Sequence, residues 1–416
     1  MMKLFNSLIL IGSLAVSSNA TTLKEMINST LENNNNLKSE QIQSLSKQKI
    51  YKSVSNIYKP TVNVGVNYMK LDKDTRAVQV GATTTGFIKL GLDIYDGGAS
   101  SSLKKQKEYE YKSSILDQTT NKKQTILNLV TLYFKAKTVN ENINVFEEKS
   151  KTLKAQYDRI KTKYDISMAT KDEVLKLQSE YETNQYTIEE LKFQKEELLQ
   201  NLSLITNSKI TTIDNSTLPD INNINLRKSE NIKSLEYTIK AQEENKNISS
   251  SVNKPKLKIE NTLNYYKYND YNERILTDLP EIQNQLMVSL TYNLYDTSSK
   301  NKIESLNLLK LSSKEKLQYA KNNEMMNFNI SKKRLETQKL KLKSLKSAVE
   351  MGNSVYTIVK DKYDNGIVDN IAYLDALSKK TYNLALYKQA LNDYEIAKAN
   401  YFFASGIDFK EVLEKF

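Results

Sequence analysis

The side chains that most enzymes use for chemistry are missing from this sequence. It contains no His and no Cys, which removes the commonest metal ligands, general bases and thiol nucleophiles. The remaining reactive groups are carboxylates, Lys, Ser and Tyr, and none of the 10 glycines forms a phosphate-binding loop. The sequence therefore predicts no catalytic residue, no metal site and no cofactor, and it disfavours an enzyme.

Charged residues are abundant but dispersed. The sequence carries 61 basic and 49 acidic side chains, a net charge of +12. Such an excess can indicate a nucleic-acid partner, but here Lys alternates with Glu, Asn and Ser along helical stretches and no nucleic-acid-binding motif occurs. We interpret the charges as solvated helix faces and expect no nucleic-acid partner.

Residues 1–20 have the pattern of a secretory signal peptide, with Lys3 near the start, an apolar run from Leu8 to Val16, and Ser18 and Ala20 before the cut. Cleavage would remove one basic residue, Lys3, and leave the mature chain at +11. No later apolar stretch approaches the ~18 residues of a membrane helix. Any membrane span would therefore have to be built from strands.

The mature sequence repeats itself. Lys163-Tyr164-Asp165 recurs as Lys362-Tyr363-Asp364, shifted by 199 positions, and two further landmarks recur in the same order with nearly the same shift. We predict a first structural repeat at 21–209, a linker or equatorial segment at 210–225, a second repeat at 226–405 and a C-terminal equatorial tail at 406–416. Each repeat reads helix, two strands, a long helix, a turn and a helix.

The predicted strands alternate apolar and polar side chains. The polar face suits a wet lumen, and each run has about the 9–11 residues that a tilted strand needs to cross a bilayer. An ordinary soluble sheet with one buried face is the alternative. The apolar face comprises Val62, Val64, Val66, Tyr68, Ile88, Leu90, Leu92 and Ile94 in the first repeat, and Leu257, Ile259, Leu263, Leu286, Val288, Leu290, Tyr292 and Leu294 in the second.

The long helices are predicted by the absence of helix breakers. No Gly or Pro occurs from Ser100 to Tyr164, and only Gly352 occurs from Ser299 to Tyr363. At ~1.5 Å per residue each helix would extend about 100 Å. Apolar residues recur in a four-three rhythm at 139–164, 174–205 and 335–363, which indicates coiled-coil packing. Turns at 165–170 and 364–369 would make two antiparallel helical hairpins.

A four-stranded sheet in lipid would be incomplete. Its two edges would expose roughly ten backbone groups each, at several kcal/mol per unsatisfied group. Two chains would supply eight strands and three would supply twelve. The strand count alone does not decide between a dimer and a trimer. Only the ring of twelve strands leaves room for a solute path. The helices would continue the ring as a tube, and such a tube predicts a channel that conducts solutes.

At these residues the sequence resembles the outer-membrane efflux proteins typified by TolC, over essentially the whole mature chain. The marks are a strand-to-helix junction at 92–98 (LDIYDGG), the turn Tyr363-Asp364-Asn365-Gly366 followed by Leu374-Asp375-Ala376, and the duplicated layout. The resemblance implies a homotrimer in the outer membrane, with a twelve-stranded barrel and a periplasmic tunnel of twelve helices. It also implies a periplasmic adaptor, or membrane fusion protein, and indirectly an inner-membrane transporter as partners in tripartite efflux or type I secretion.

The resemblance also implies a constriction at the periplasmic tip, made by rings of acidic side chains. The second acid of the family motif falls on Asp375, whereas the first falls on Ala372. We therefore expect one acidic ring, whose three carboxylates would raise one another's pKa and attract cations. A solvated acid on a helix surface is the alternative for Asp375.

The family's closed state joins a tyrosine and an acid, which correspond here to Tyr363 and Glu173. The arginine that locks this region in the family corresponds to Val368, so its bridge should be missing here. The closed state should therefore be held by fewer polar contacts. Asp172 and Asp369 are candidate substitutes. The turns that contact adaptors in similar systems correspond to six residues, with Gly366 also a candidate helix C-cap. They are Ser167, Met168, Ala169, Gly366, Ile367 and Val368.

Three other functions fit the sequence less well than a channel. A periplasmic coiled-coil adaptor or structural protein would carry one hairpin between strand-rich domains, whereas this sequence has two hairpins that flank paired strands. A single-chain porin would need more strands and no long helices. An enzyme would need the reactive residues that the sequence lacks.

Overall fold

The computed structural model describes residues 21–55, 60–72, 79–220, 224–408 and 411; the predicted signal peptide and most of the predicted tail lie outside the described residues. Among the described residues, no helix combines the length and hydropathy needed to cross a membrane. The elements in chain order are α1 (Leu23–Asn33), α2 (Asn35–Val54), β1 (Thr61–Lys70), β2 (Ala82–Tyr95), α3 (Ala99–Asp165), α4 (Lys171–Thr206), α5 (Glu230–Ser250), β3 (Lys256–Asn269), β4 (Ile282–Thr291), α6 (Thr297–Asp364) and α7 (Asn370–Ala404).

These elements form two compact units, and each unit takes segments from both sequence repeats. Unit 1 comprises Met1–Lys38, Asn121–Arg227 and Met325–Phe416. Unit 2 comprises Ser39–Thr120 and Lys228–Glu324. Unit 2 contains the four strands, and unit 1 contains both helical turns.

The sheet of unit 2 is antiparallel throughout, in the order β1-β2-β3-β4. Val64 pairs with Ile88 and Ile88 with Leu263, so the apolar positions of neighbouring strands share one face. Because side chains alternate along a strand, this register places the intervening polar positions together on the other face.

The apolar face of the sheet is exposed, which a soluble sheet with one buried face would not show. On the apolar face Val64 is 76% exposed and Leu290 is 72% exposed. On the polar face Glu260 is buried between the ammonium groups of Lys89 and Lys258, at 2.9 and 2.7 Å. An apolar face that no part of the described chain covers is the arrangement expected of strands that face lipid.

The strand ends differ from the prediction. Tyr292 and Leu294 were expected on the last strand, but β4 ends at Thr291. Thr291 pairs with Lys256, the first residue of β3, so the neighbouring strand offers no further partner. The two central strands have 14 residues each and the two edge strands have 10.

Unit 1 is centred on an apolar cluster where α1, α3, α4 and α7 meet the segment after α4. Within this cluster the Tyr133 hydroxyl donates to the Asp214 carboxylate at 2.6 Å, and the backbone N–H of Ser216 donates to the Tyr133 oxygen at 3.0 Å. The cluster comprises Leu23, Met26, Ile27, Ile126, Leu127, Leu129, Val130, Tyr133, Phe134, Ala136, Leu199, Leu202, Ile210, Leu218, Ala399, Phe402 and Ile407.

Two antiparallel hairpins extend from this cluster, α3 with α4 and α6 with α7. Each hairpin carries the same cross-helix contact: the Asn184 amide donates to the Phe146 carbonyl at 2.9 Å, and the Asn383 amide donates to the Ala348 carbonyl at 3.0 Å. Asn184 and Asn383 are 199 positions apart, the shift of the sequence repeat. Gly352 belongs to this packing, because a Cβ there would lie 3.0 Å from the Asn383 amide nitrogen.

The predicted fold class is confirmed as an internally duplicated mixed fold, with four antiparallel strands and long paired helices. One detail was wrong. The single opening helix expected in the first repeat is split into α1 and α2 at Asn34, whose side-chain oxygen accepts a hydrogen bond from the Leu37 backbone N–H at 3.0 Å. This contact begins α2 as a separate helix.

Candidate functional site

The two helical turns of unit 1 have the same backbone motif. At the first, the N–H of Ser167 donates to the Tyr164 carbonyl and that of Met168 to the Lys163 carbonyl, at 2.9 and 2.7 Å. At the second, Gly366 and Ile367 repeat these bonds at 3.0 and 2.8 Å. Both are Schellman motifs, whose C′ residue takes a positive φ.

The residue in that C′ position differs between the repeats. Ser167 has φ 62° and Gly366 has φ 73°. The C-cap interpretation of Gly366 therefore holds. Serine in the left-handed region costs about 1 kcal/mol relative to glycine, so the first turn is intrinsically the weaker of the two.

The helices that leave the turns are capped by side chains. In α4 the Glu173 carboxylate accepts a hydrogen bond from the Thr170 backbone N–H at 3.0 Å, which is half of a capping box. In α7 the Asp369 carboxylate accepts from the Ala372 N–H at 2.9 Å. Asp172 is exposed, and a hydrogen bond with the Thr170 side chain lowers its pKa.

Directly below the turns, three tyrosine rings form a cluster. The rings of Tyr363 and Tyr373 lie 4.8 Å apart and nearly parallel, and those of Tyr356 and Tyr373 lie 6.0 Å apart. Tyr373 is fully buried, and burial raises its pKa well above the usual range. Burial also raises the pKa of Tyr363, and the negative charge of Glu173 adds to the increase.

The predicted hydrogen bond between Tyr363 and Glu173 is not formed. The Tyr363 hydroxyl is buried and has no hydrogen-bond partner among the described residues. The Glu173 carboxylate binds the Thr170 N–H instead, because the capping contact is local and needs no second helix. The pattern Thr170-x-x-Glu173 is the sequence signal that could have predicted this cap.

A tie between the two hairpins comes from a residue that the sequence analysis missed. The Arg159 guanidinium, on α3, contacts the Asp364 carboxylate at the end of α6. The Lys360 ammonium lies 2.9 Å from the same carboxylate. Hydrogen bonds from Lys360 and then Arg159 hold the pKa of Asp364 below its usual value.

This pairing corrects the expectation that Asp172 and Asp369 replace the lock lost at Val368. Both carboxylates interact with the first turns of their own helices. The partners in the observed tie are 205 residues apart, and nothing near Arg159 in sequence marks it.

Asp375 and Ala372 lie three residues apart, on one side of α7. Asp375 is exposed and Ala372 is partly buried. The turn residues around them are also open to solvent: Met168 is 71% exposed and Ile367 is 70% exposed. The structure thus brings Asp375 and both turns to one end of unit 1, with Tyr363 and Arg159 immediately beneath.

The fold is shared with solved membrane proteins. A membrane protein from Pseudomonas aeruginosa has a TM-score of 0.83 at 14% identity, with 92% of this chain and 93% of that chain covered. The Campylobacter jejuni CmeC outer membrane channel has a TM-score of 0.82 at 16% identity, with 94% and 88% covered. The outer membrane protein VceC from Vibrio cholerae has a TM-score of 0.81 at 10% identity, with 93% and 96% covered. At these identities the likeness shows the fold alone.

The sequence itself matches a family model. Residues 26–208 match the model described as outer membrane efflux protein. No curated protein matches the sequence. The first half of the chain thus resembles outer membrane efflux proteins in sequence, and the described chain as a whole has the fold of solved outer-membrane channels.

Proposed function

We propose that three copies of this chain form the exit duct of a tripartite efflux or type I secretion system, which carries substrate from an inner-membrane transporter to the exterior. The observation that carries this proposal is the open sheet of unit 2. Its apolar face is exposed, and β1 and β4 each have a described strand neighbour on one side only. In lipid, the free edge of each would leave backbone groups unsatisfied at several kcal/mol apiece. Copies of the chain would satisfy both edges.

The outer faces of the hairpins support the same assembly. On α4 an exposed apolar stripe recurs at intervals of eleven, seven and eleven residues, and α6 has a comparable stripe. Intervals of seven and eleven residues keep side chains on one face of a helix, as packing against another helix requires. A second copy of the chain is the occupant we propose. The stripes comprise Leu175, Tyr186, Phe193 and Leu204 on α4, and Leu340, Met351 and Ile358 on α6.

Three copies fit the fold better than two. A barrel of eight strands fills its interior with side chains, whereas twelve strands leave a wider lumen. The polar face of the sheet, with Lys89, Lys258 and Glu260, is suited to line such a lumen. A periplasmic adaptor or structural protein is the alternative, but it would leave the exposed apolar face without a role.

The absence of Cys permits a direct test of the assembly. Tyr186 and Met351 lie at similar distances from the turns, on the outer faces of α4 and α6. Oxidation of the double variant Tyr186→Cys, Met351→Cys in outer membranes should give covalent dimers and trimers and nothing larger. Each single-Cys variant serves as a control and should give no trimer. A ladder that stops at dimers, or a chain that stays folded and monomeric without detergent, would overturn the proposal.

We propose a gate at the tip of this duct. In the assembled ring Asp375 of each copy faces the axis and makes a single acidic constriction, which is wider on the side of Ala372. Tyr363 and Glu173 lie beneath it. The Tyr363 hydroxyl has no hydrogen-bond partner in the described part of the chain, so a change of partner by Glu173 from the Thr170 N–H to this hydroxyl would join α4 to α6. Asp172 and Asp369 stabilise the first turns of α4 and α7.

The turns themselves are the proposed adaptor contact. Supporting this role, the apolar side chains of Met168 and Ile367 are largely exposed at the end of the hairpins. Exposed apolar groups on a defined backbone motif are suited to a protein partner. Ser167, Ala169, Gly366 and Val368 complete the two turns.

A further inference from the structure

All charged side chains on the inner face of the described strands lie within one half of the length of β3, a region here called the charged band. The inner face is the polar face of the sheet, opposite the exposed apolar side chains. Its charged residues fall at the end of the sheet from which β2 leads into α3. They are Lys89, Asp93, Lys256, Lys258 and Glu260.

Toward the opposite end of the strands the inner face is neutral. Thr262 on β3 is the cross-strand partner of Lys89 and marks the limit of the band. Beyond it the inner positions on β3 are Asn264, Tyr266 and Tyr268, and the rings of the two tyrosines stack 5.7 Å apart. Lys267 lies between those two tyrosines in the sequence. Because side chains alternate along a strand, it points to the outer face, as does its cross-strand partner Thr84.

Within the band, positive charge is in excess. Glu260 is 7% exposed and bridges Lys89 and Lys258. Asp93 is the direct cross-strand partner of Lys258. Lys256 has no acidic counterpart among the charged residues of this face, so the three lysines and two acids leave one net positive charge per chain.

We propose that this band makes the barrel prefer anions. The inference rests on the proposed function, because three copies must close the sheet for the inner face to surround a pore. The net charge of three would then be concentrated at one level of a water-filled lumen with an apolar outer wall, where field lines are focused. Small anions are attracted to this level, and so are anionic groups on a larger cargo.

A purely structural role for the band makes a different prediction. If the bridges served only to hold β2 against β3, then loss of either partner would weaken the sheet and leave ion preference unchanged. If the excess charge sets ion preference, removing an acid and removing a base must act in opposite directions. The pair Glu260 and Lys258 separates the two roles because both belong to the same bridge, 2.7 Å apart.

The test is the reversal potential of purified channels in planar bilayers under a potassium chloride gradient, in an Asp375→Ala background that removes the acid proposed for the tip. The parent channel should favour chloride over potassium by about twofold or more. Glu260→Gln should increase this ratio, and Lys258→Gln should lower it toward unity. Lys267→Gln, which removes the same charge from the outer face, should leave the ratio unchanged.

The outcomes separate the two proposals. Channels that conduct but show no chloride preference, or that respond in the same direction to Glu260→Gln and Lys258→Gln, would overturn the inference and leave the duct intact. A protein that inserts and gives no conductance would overturn the duct, and the anion preference with it.

Discussion

Glu173 shows how a local contact displaces a distant one. The resemblance to a gate residue predicts a contact between Glu173 and Tyr363, yet in the structure Glu173 caps α4, its own helix, by accepting a hydrogen bond from the Thr170 N–H. Tyr363 keeps the expected position at the end of α6 but has no hydroxyl partner among the described residues. A buried hydroxyl without a partner costs about 1–3 kcal/mol in free energy of folding. Packing at this end of unit 1 therefore buries a polar group without giving it a hydrogen bond.

Asp375→Ala is the direct test of the acidic constriction. Removing three carboxylates from one ring should raise single-channel conductance for large cations and weaken block by trivalent cations, because the ring would attract them electrostatically. Conductance and block in planar bilayers measure both effects. Asp158→Ala, an exposed acid on α3, is the matched control. Equal conductance and block in Asp375→Ala and the parent channel would exclude Asp375 from the gate.

Ser167 and Gly366 provide a reciprocal pair of substitutions. Ser167→Gly should stabilise the first turn by about 1 kcal/mol, since glycine adopts a positive φ without steric cost. Gly366→Ser should destabilise the second turn by a similar amount. Amide hydrogen exchange at Met168 and Ile367 measures local opening, which should slow about fivefold in the first variant and accelerate in the second. Parallel changes at both turns in either variant would argue against a local effect.

At the level of elements, contacts between helices were harder to predict than the helices themselves. The four-three rhythm predicted long paired helices and the positions of both turns. It could not predict that Arg159 pairs with Asp364, because a surface ion pair across 205 residues leaves no periodic signal. The strand faces were predictable because alternation is a local property. The end of β4 was not, because it depends on where β3 begins.

The tie between the hairpins should respond to acid. The pKa of Asp364 lies below its ordinary value of 3.8, so the tie contributes fully above that pH and is lost as pH falls through the lower, folded-state pKa. Open probability in planar bilayers should therefore rise several-fold on acidification below about pH 4. Arg159→Gln should open the channel at neutral pH and reduce its acid response.

Lys360→Gln is the control for this prediction. It removes a contact within α6, at 2.9 Å, and leaves the contact between hairpins in place. Its open probability at neutral pH should stay near that of the parent channel. If Arg159→Gln behaves like Lys360→Gln, the tie has no part in closure.

Gly65 and Gly86 test the packing of the sheet. A Cβ at Gly65 would lie 2.5 Å from the Phe87 ring, whereas a Cβ at Gly86 meets nothing within 4 Å. Gly65→Ala should cost about 1 kcal/mol, because the ring has to move away from the strand, and Gly86→Ala should be close to neutral. The temperature at which the assembled protein dissociates in SDS compares them. Equal temperatures would show that the ring shifts without cost.

For the whole molecule, the duplication was the most informative feature of the sequence. It predicted the order of elements and, with the apolar face of the strands, the need for additional copies. The two compact units were not predictable from it, because each unit combines segments from both repeats.

The segment that leaves α4 is held in place by residues of α7, which are synthesised much later. The Leu218 N–H donates to the Glu395 carboxylate and the Leu218 carbonyl accepts from Lys398, contacts that span 177 and 180 residues. During passage across the inner membrane, this stretch therefore emerges long before its partners and has to wait for them without docking. Periplasmic chaperones would therefore meet a first half of the chain that cannot finish folding until α7 has emerged.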